Sequence, residues 1–223
     1  MSTVYGAATM DFRDQLNSSV PAEVQGGIVD VICAEYSHTH IEVNRSYAEE
    51  EARDVEPHIR RANIETSLLE LAGRFPDHLT VASGVTQKNN HFRYLVCGKI
   101  VLTQSYIEPN RRVPRDAIFR NSFAGDPNQM LLDPDAESDR IAAIEAQELT
   151  YVIITHSRSL NNAAEPSHVT AVLVDANCHH VASVDLRENY AMLVSKNVPI
   201  ECVEDRSQVT LRKDVGKKRA TGA

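Results

Sequence analysis

The run Phe92-Arg93-Tyr94-Leu95-Val96-Cys97-Gly98-Lys99-Ile100-Val101-Leu102 decides how this chain folds. Branched and aromatic side chains fill most of it, Gly98 is its one glycine, and the polar stretch Gln87-Lys88-Asn89-Asn90 lies just before it. Such residues suit a pleated, half-buried surface. The run reads as a long central strand over residues 91–105 with Gly98 as a bulge. The polar stretch reads as the hairpin turn to an earlier strand at 78–86, where Thr80, Val81, Val85 and Thr86 are β-branched.

Working outward from this strand, the C-terminal third is β again. Leu149-Thr150-Tyr151-Val152-Ile153-Ile154-Thr155 reads as a strand, and residues 169–174 and 181–186 flank Asp175-Ala176-Asn177 as a hairpin. A last edge strand is expected at 208–211. Towards the N-terminus the period changes to that of a helix. Ser18, Ser19 and Pro21 precede Glu23, and Val24, Ile28, Val31 and Ile32 then recur at helical spacing. Gly26 and Gly27 each weaken that helix by about 1 kcal/mol relative to alanine. It is expected to run through Tyr36, Val43 and Tyr47 to Glu49-Glu50-Glu51, with Pro57 as the break before a second helix at 58–74.

Helices first and meandering strands afterwards indicate an α+β fold. The expected architecture is two N-terminal helices packed on one face of a mainly antiparallel sheet of five or six strands, with a long irregular or helical insertion. Residues 1–211 are read as a single domain, with a helical part at 18–75 and a sheet part at 78–211 that carries the insertion at 106–148. A short helix is expected within the insertion at 138–147, and residues 212–223 are read as a basic flexible tail.

Composition narrows the function classes. The 223 residues carry 31 acids against 23 bases, a net charge of −8, which excludes a nucleic-acid binder that works through uniform positive charge. Tryptophan is absent and aromatics make up 5%, too few for a platform of stacked bases. The first 16 residues lack the apolar core of a signal peptide, and no stretch approaches the ~20 apolar residues of a membrane span, so a cytoplasmic protein with no membrane contact is expected. Cys33, Cys97, Cys178 and Cys202 form no C-x-x-C pair, so neither a zinc knuckle nor a redox motif is expected.

Catalytic motifs are few. Neither Gly98-Lys99 nor Gly216-Lys217 has the upstream glycine and following Ser/Thr of a P-loop, and no G-x-S-x-G elbow occurs. A metal-dependent nuclease would place a carboxylate two residues before a strand lysine, but Cys97 stands there before Lys99. His38 and His40 on one helix diverge, and Cys178 and His180 make only two ligands, so no metal site and no cofactor are expected.

The arginines are the strongest signal. Arg111, Arg112, Arg115 and Arg120 fall within ten residues, and Arg93 on the adjacent strand extends the group. The planar fork of arginine suits phosphate and carboxylate, so the cluster is a candidate anion-binding site. The competing reading is internal pairing with Glu49-Glu50-Glu51 or with residues 126–148, which carry seven acids and one base. Two function classes follow. The first is binding to another protein, or self-association, as a regulatory partner in a small intracellular system. The second is an enzyme or toxin-like protein acting on a phosphate-bearing substrate, a nucleotide or nucleic acid, held by the arginines. His156, at the exit of an apolar strand, and His91 are its catalytic candidates. The second class requires His91 or His156 to share one cleft with at least two of the five arginines.

Overall fold

The computed structural model describes residues 11–85, 91–108, 113–115, 117–125 and 149–197. In it, the expected long strand is two strands, β2 (His91–Cys97) and β3 (Ile100–Tyr106), paired antiparallel across Gly98-Lys99. Gly98 has φ +53°, a conformation that reverses the chain, so it is the first central residue of a hairpin turn rather than a bulge. The turn seats on the end of α1 (Phe12–Ser19): a Cβ on Gly98 would stand 3.0 Å from the Ser19 carbonyl oxygen, and the Cys97 thiol donates to that same oxygen at 3.2 Å.

The helices differ from expectation at both ends of the chain. The residues read as a helix start, Ser18 and Ser19, close the additional helix α1 instead, and α2 (Ala22–Ser46) begins after Pro21. The break between the long helices falls at Tyr47-Ala48, ten residues before Pro57, which lies inside α3 (Glu49–Arg74). Glu49, Glu50 and Glu51 occupy the first turn of α3, where the helix dipole favours acids, so the acidic run starts a helix rather than ending one. The glycines that weaken α2 are contact points. A Cβ on Gly27 would meet Leu71 of α3 at 2.6 Å, and one on Gly26 would meet the Tyr190 ring at 2.7 Å. Tyr190 belongs to a C-terminal helix that was not expected, α5 (Leu186–Asn197). Asp185 caps it, its carboxylate accepting from the Arg187 and Glu188 amides at 2.9 and 3.2 Å.

The sheet has six strands in sequence order: β1 (Thr80–Val85), β2, β3, β4 (Thr150–Arg158), β5 (Pro166–Val174) and β6 (His180–Asp185). The expectation of a mainly antiparallel sheet is corrected to a mixed one, because β3 and β4 run parallel. The chain between them, which includes α4 (Ile118–Gly125), is long enough to return to the starting edge, as a parallel pair requires. The fold is therefore α+β with helices before, within and after the strands.

Two apolar layers enclose the sheet. On one face Leu16, Ile28, Ile32, Ile64 and Leu71 from the N-terminal helices meet Ile100, Leu102, Val152 and Ile154. On the other, Phe123 of α4 packs among Tyr94, Val101, Tyr151 and Ile153. β3 and β4 are covered on both faces along Ile100-Val101-Leu102 and Tyr151-Val152-Ile153-Ile154, which read as short continuous apolar runs for that reason. No helix among the described residues is long and apolar enough to cross a membrane. The expected turn at 87–90, helix at 138–147, edge strand at 208–211 and tail at 212–223 lie outside the described residues.

Candidate functional site

A partial opening of the sheet builds the site. β1 and β2 pair through six positions, out to Val85 and His91, and β3 and β4 pair through seven, out to Tyr106 and His156. The β2–β3 ladder between them has only three, Leu95 with Leu102, Val96 with Val101 and Cys97 with Ile100. Beyond Leu95 and Leu102 the two halves of the sheet diverge. A cavity of about 460 Å³ occupies the divergence, at the carboxyl ends of the parallel strands β3 and β4.

Both faces of the sheet contribute to this cavity. Phe92 and Arg93 come from β2, Thr103, Gln104, Ser105 and Tyr106 from β3, and His156 from β4. Helix α3 supplies Pro57, His58, Arg60, Arg61 and Glu65 from one side; Arg115, Phe119 and Arg120 close the other. Five arginines and one carboxylate therefore line the same space.

Each arginine is held differently. Arg60 is buried, forms an ion pair with Glu56 one turn earlier, and lies over the Tyr36 ring at 4.1 Å. Arg61 donates to Glu65 at 3.0 Å, and Arg115 pairs with Glu108 at 2.5 Å. Arg93 is exposed and, among the described residues, reaches the Ser83 hydroxyl at 3.4 Å. Arg120 donates to the Ser105 hydroxyl at 2.9 Å and the Arg115 carbonyl at 2.8 Å, and its guanidinium covers the Phe119 ring at 4.8 Å. Its Nε is buried with no hydrogen-bond partner, as is the Nε of Arg60. Burial lowers the pKa of Arg120, and the charge of Arg61 adds to that effect. Among the described residues, Arg93 and Arg120 have no carboxylate partner.

His156 forms the cavity floor and is 2% exposed. Its Nδ1 lies 2.9 Å from the Tyr36 hydroxyl and its Nε2 lies 3.0 Å from Oε1 of Gln104. A carbonyl oxygen can only accept, so Nε2 carries the proton and Nδ1 accepts from Tyr36. The Gln104 amide nitrogen continues the chain to Glu65 at 3.4 Å. Burial, reinforced by the charge of Arg60, depresses the His156 pKa to about 3 and keeps the ring neutral. Burial likewise raises that of Tyr36.

Of the residues singled out from sequence, the structure brings Arg93, Arg115, Arg120 and His156 to one cavity. Arg111 and Arg112 lie outside the described residues, as do the acids at 126–148 that were their alternative partners. His91 pairs with Val85 through the backbone, and its side chain lies outside the described residues. Lys99 sits in the turn at the opposite end of β3 from the cavity. Among the described residues no group of three His, Cys, Asp or Glu side chains could hold a metal ion. Sequence reasoning missed Arg60, Arg61 and the Tyr36 and Gln104 partners of His156. The available signal was the polar series His58, Arg61, Glu65 at spacings of three and four residues, which puts one polar face on a helix otherwise read for its apolar residues.

A second cavity of about 410 Å³ opens between Ile107, Thr155, His168, Thr170, Val172, His180 and Ser183. It has hydroxyls and two histidines but no arginine, so it lacks the charge concentration of the first. Comparison of the chain with protein-family models, with curated proteins and with solved structures gives no match.

Proposed function

We propose that the cavity between β2 and β3 is a binding site for a phosphate-bearing ligand. The observation that carries this reading is five arginines lining one cavity, of which Arg93 and the half-buried Arg120 have no carboxylate partner among the described residues. An anion about 4 Å from one guanidinium gains on the order of 4 kcal/mol at an effective dielectric near 20. Bridging Arg61 and Arg120 would also relieve their mutual repulsion. The position suits a ligand site, since open sheets with parallel strands bind ligands beyond the carboxyl ends of those strands.

The reading is of binding rather than proton transfer at His156. A general base needs a free lone pair and a pKa near the working pH. His156 has both ring nitrogens engaged and titrates near pH 3, so it acts by fixing Gln104 and, through it, Glu65. The expectation of a protein partner has less to rest on. The exposed large apolar residues, Ile41, Ile118, Leu160, Val181 and Val194 among them, belong to different elements, and single exposed residues of this kind are ordinary.

Isothermal titration of the full chain with inorganic phosphate at low ionic strength tests the proposal. Saturable binding of one phosphate, weakened by added salt and by Arg120→Met, is the expected result. Absence of saturable binding up to millimolar phosphate would overturn it.

A further inference from the structure

We infer that the phosphate-bearing ligand is a nucleotide, its phosphate held by the arginines and its base stacked on Tyr106; this rests on the phosphate reading above. A cavity of about 460 Å³ falls in the range of roughly 300–1,000 Å³ typical of small-molecule sites, and a bare phosphate of five heavy atoms leaves most of it to water. The remainder of the ligand is therefore sizeable, and the walls indicate its chemistry.

Tyr106 lines the cavity as the last residue of β3 and is 44% exposed. Its only ring partner among the described residues is His156, with centroids 6.2 Å apart and planes at 64°, an edge contact that leaves a ring face open. Phe119 differs: Phe92 stacks on it at 4.4 Å and the Arg120 guanidinium covers it at 4.8 Å. Tyr106 is thus the aromatic surface left for a flat partner, next to the arginines that would take the phosphate. An aromatic base joined through a sugar to a phosphate meets both requirements. Aliphatic phosphates such as sugar phosphates would leave the Tyr106 face unused. The same chemistry is offered by a free nucleotide and by the 5′-phosphorylated end of a single strand.

Titration calorimetry on the full chain separates these cases. The probes are inorganic phosphate, ribose 5-phosphate, adenosine, adenosine and uridine 5′-monophosphates, and hexathymidylate with and without a 5′-phosphate. Stacking of a base predicts a monophosphate bound on the order of 10- to 100-fold more tightly than ribose 5-phosphate. Tyr106→Ala should erase that difference while leaving inorganic phosphate binding unchanged, and Tyr106→Phe should preserve it. Arg93→Gln, at an exposed position, should weaken phosphate and nucleotide together. Tighter binding of the phosphorylated hexamer than of the mononucleotides assigns the ligand to a strand end; equal or weaker binding assigns it to a free nucleotide. Ribose 5-phosphate bound as tightly as the nucleotides would overturn the nucleotide inference and leave the phosphate reading intact. No binding of any phosphate would overturn both, and hexamer binding indifferent to its 5′-phosphate would overturn the inference in favour of backbone charge alone.

Discussion

Replacing Arg120 with methionine separates a residue kept for its ligand from one kept for the fold. The guanidinium donates two hydrogen bonds, to the Ser105 hydroxyl and the Arg115 carbonyl, and hydrogen bonds from a charged donor are worth about 1.5–3 kcal/mol each. Neither acceptor is orphaned by the change: the Ser105 hydroxyl also reaches the Tyr106 carbonyl, and Arg115 is exposed, so water can replace the lost donor. Against this loss stands the partial desolvation of a half-buried cation that has no acid among the described residues, and a buried Nε with no partner. Methionine keeps the apolar contact with Phe119. The terms nearly cancel, so R120M should melt within about 3 °C of the wild type in buffer without phosphate, a difference of about 1 kcal/mol for a chain of this size. With phosphate the two should part. At a hundredfold excess over Kd a ligand stabilises its protein by about 2.7 kcal/mol, which raises the melting temperature of the wild type by roughly 5–10 °C. R120M should show almost none of this rise. Differential scanning calorimetry across a phosphate series at constant ionic strength reads both quantities. The reasoning fails if R120M keeps the phosphate-dependent rise, or if it melts more than about 10 °C lower without ligand, which would make Arg120 a structural residue.

Two further outcomes follow from buried groups and a third from a turn glycine. His156 binds a proton near pH 3 in the folded state against 6.5 in the unfolded chain, so its contribution is fully present above pH 6.5 and is lost as pH falls, by about 1.4 kcal/mol per unit. Urea unfolding of wild type and His156→Gln between pH 7 and pH 5 should show the shallower pH dependence in the variant; equal slopes would refute the assignment. Glu56→Gln leaves the buried Arg60 without its acid and should cost about 3–5 kcal/mol in urea unfolding, whereas a loss below 1 kcal/mol would show that water reaches Arg60. Gly98→Ala forces a side chain into φ +53° and to 3.0 Å from the Ser19 oxygen, so it should lower stability by about 1–3 kcal/mol with unchanged denaturant m-value. An unchanged midpoint would mean that the turn rearranges freely.

The fold was legible where a local pattern reported a local cause. The helical spacing of Val24, Ile28, Val31 and Ile32, the branched residues of the strands and the turn at Asp175 all express the burial that the structure shows. It was obscure where distant packing decided. Pro57 is a strong break signal, yet α3 continues through it because Ala52, Arg60, Ile64 and Leu68 are buried on either side of it. Gly98 can mark a bulge or a turn, and the choice falls to the turn because the end of α1 packs against it. The direction of β4 has no local signature at all. It depends on the path of the connection from β3, and a strand reads the same in either direction.

The candidate site divides in the same way, for a reason rooted in charge. Arg93, Arg115 and Arg120 stood out because they belong to a dense arginine run in a chain of net charge −8. Arg60 and Arg61 did not, since on a helix rich in acids they read as ordinary pairs for neighbours one turn away, and Glu56 and Glu65 do pair with them. What no sequence pattern expresses is that the β2–β3 ladder stops after three positions. A ladder continued to Tyr106 would bring the two strands together along their full length and leave no space between them. The opening admits the α3 arginines from one face and Arg115 and Arg120 from the other, so a protein that is acidic on average concentrates positive charge at one internal position. Glu56, Glu65 and Glu108 balance three of these arginines, whereas Arg93 and Arg120 have no carboxylate among the described residues, and this is why the ligand-dependent difference between wild type and R120M carries more weight than either melting temperature alone.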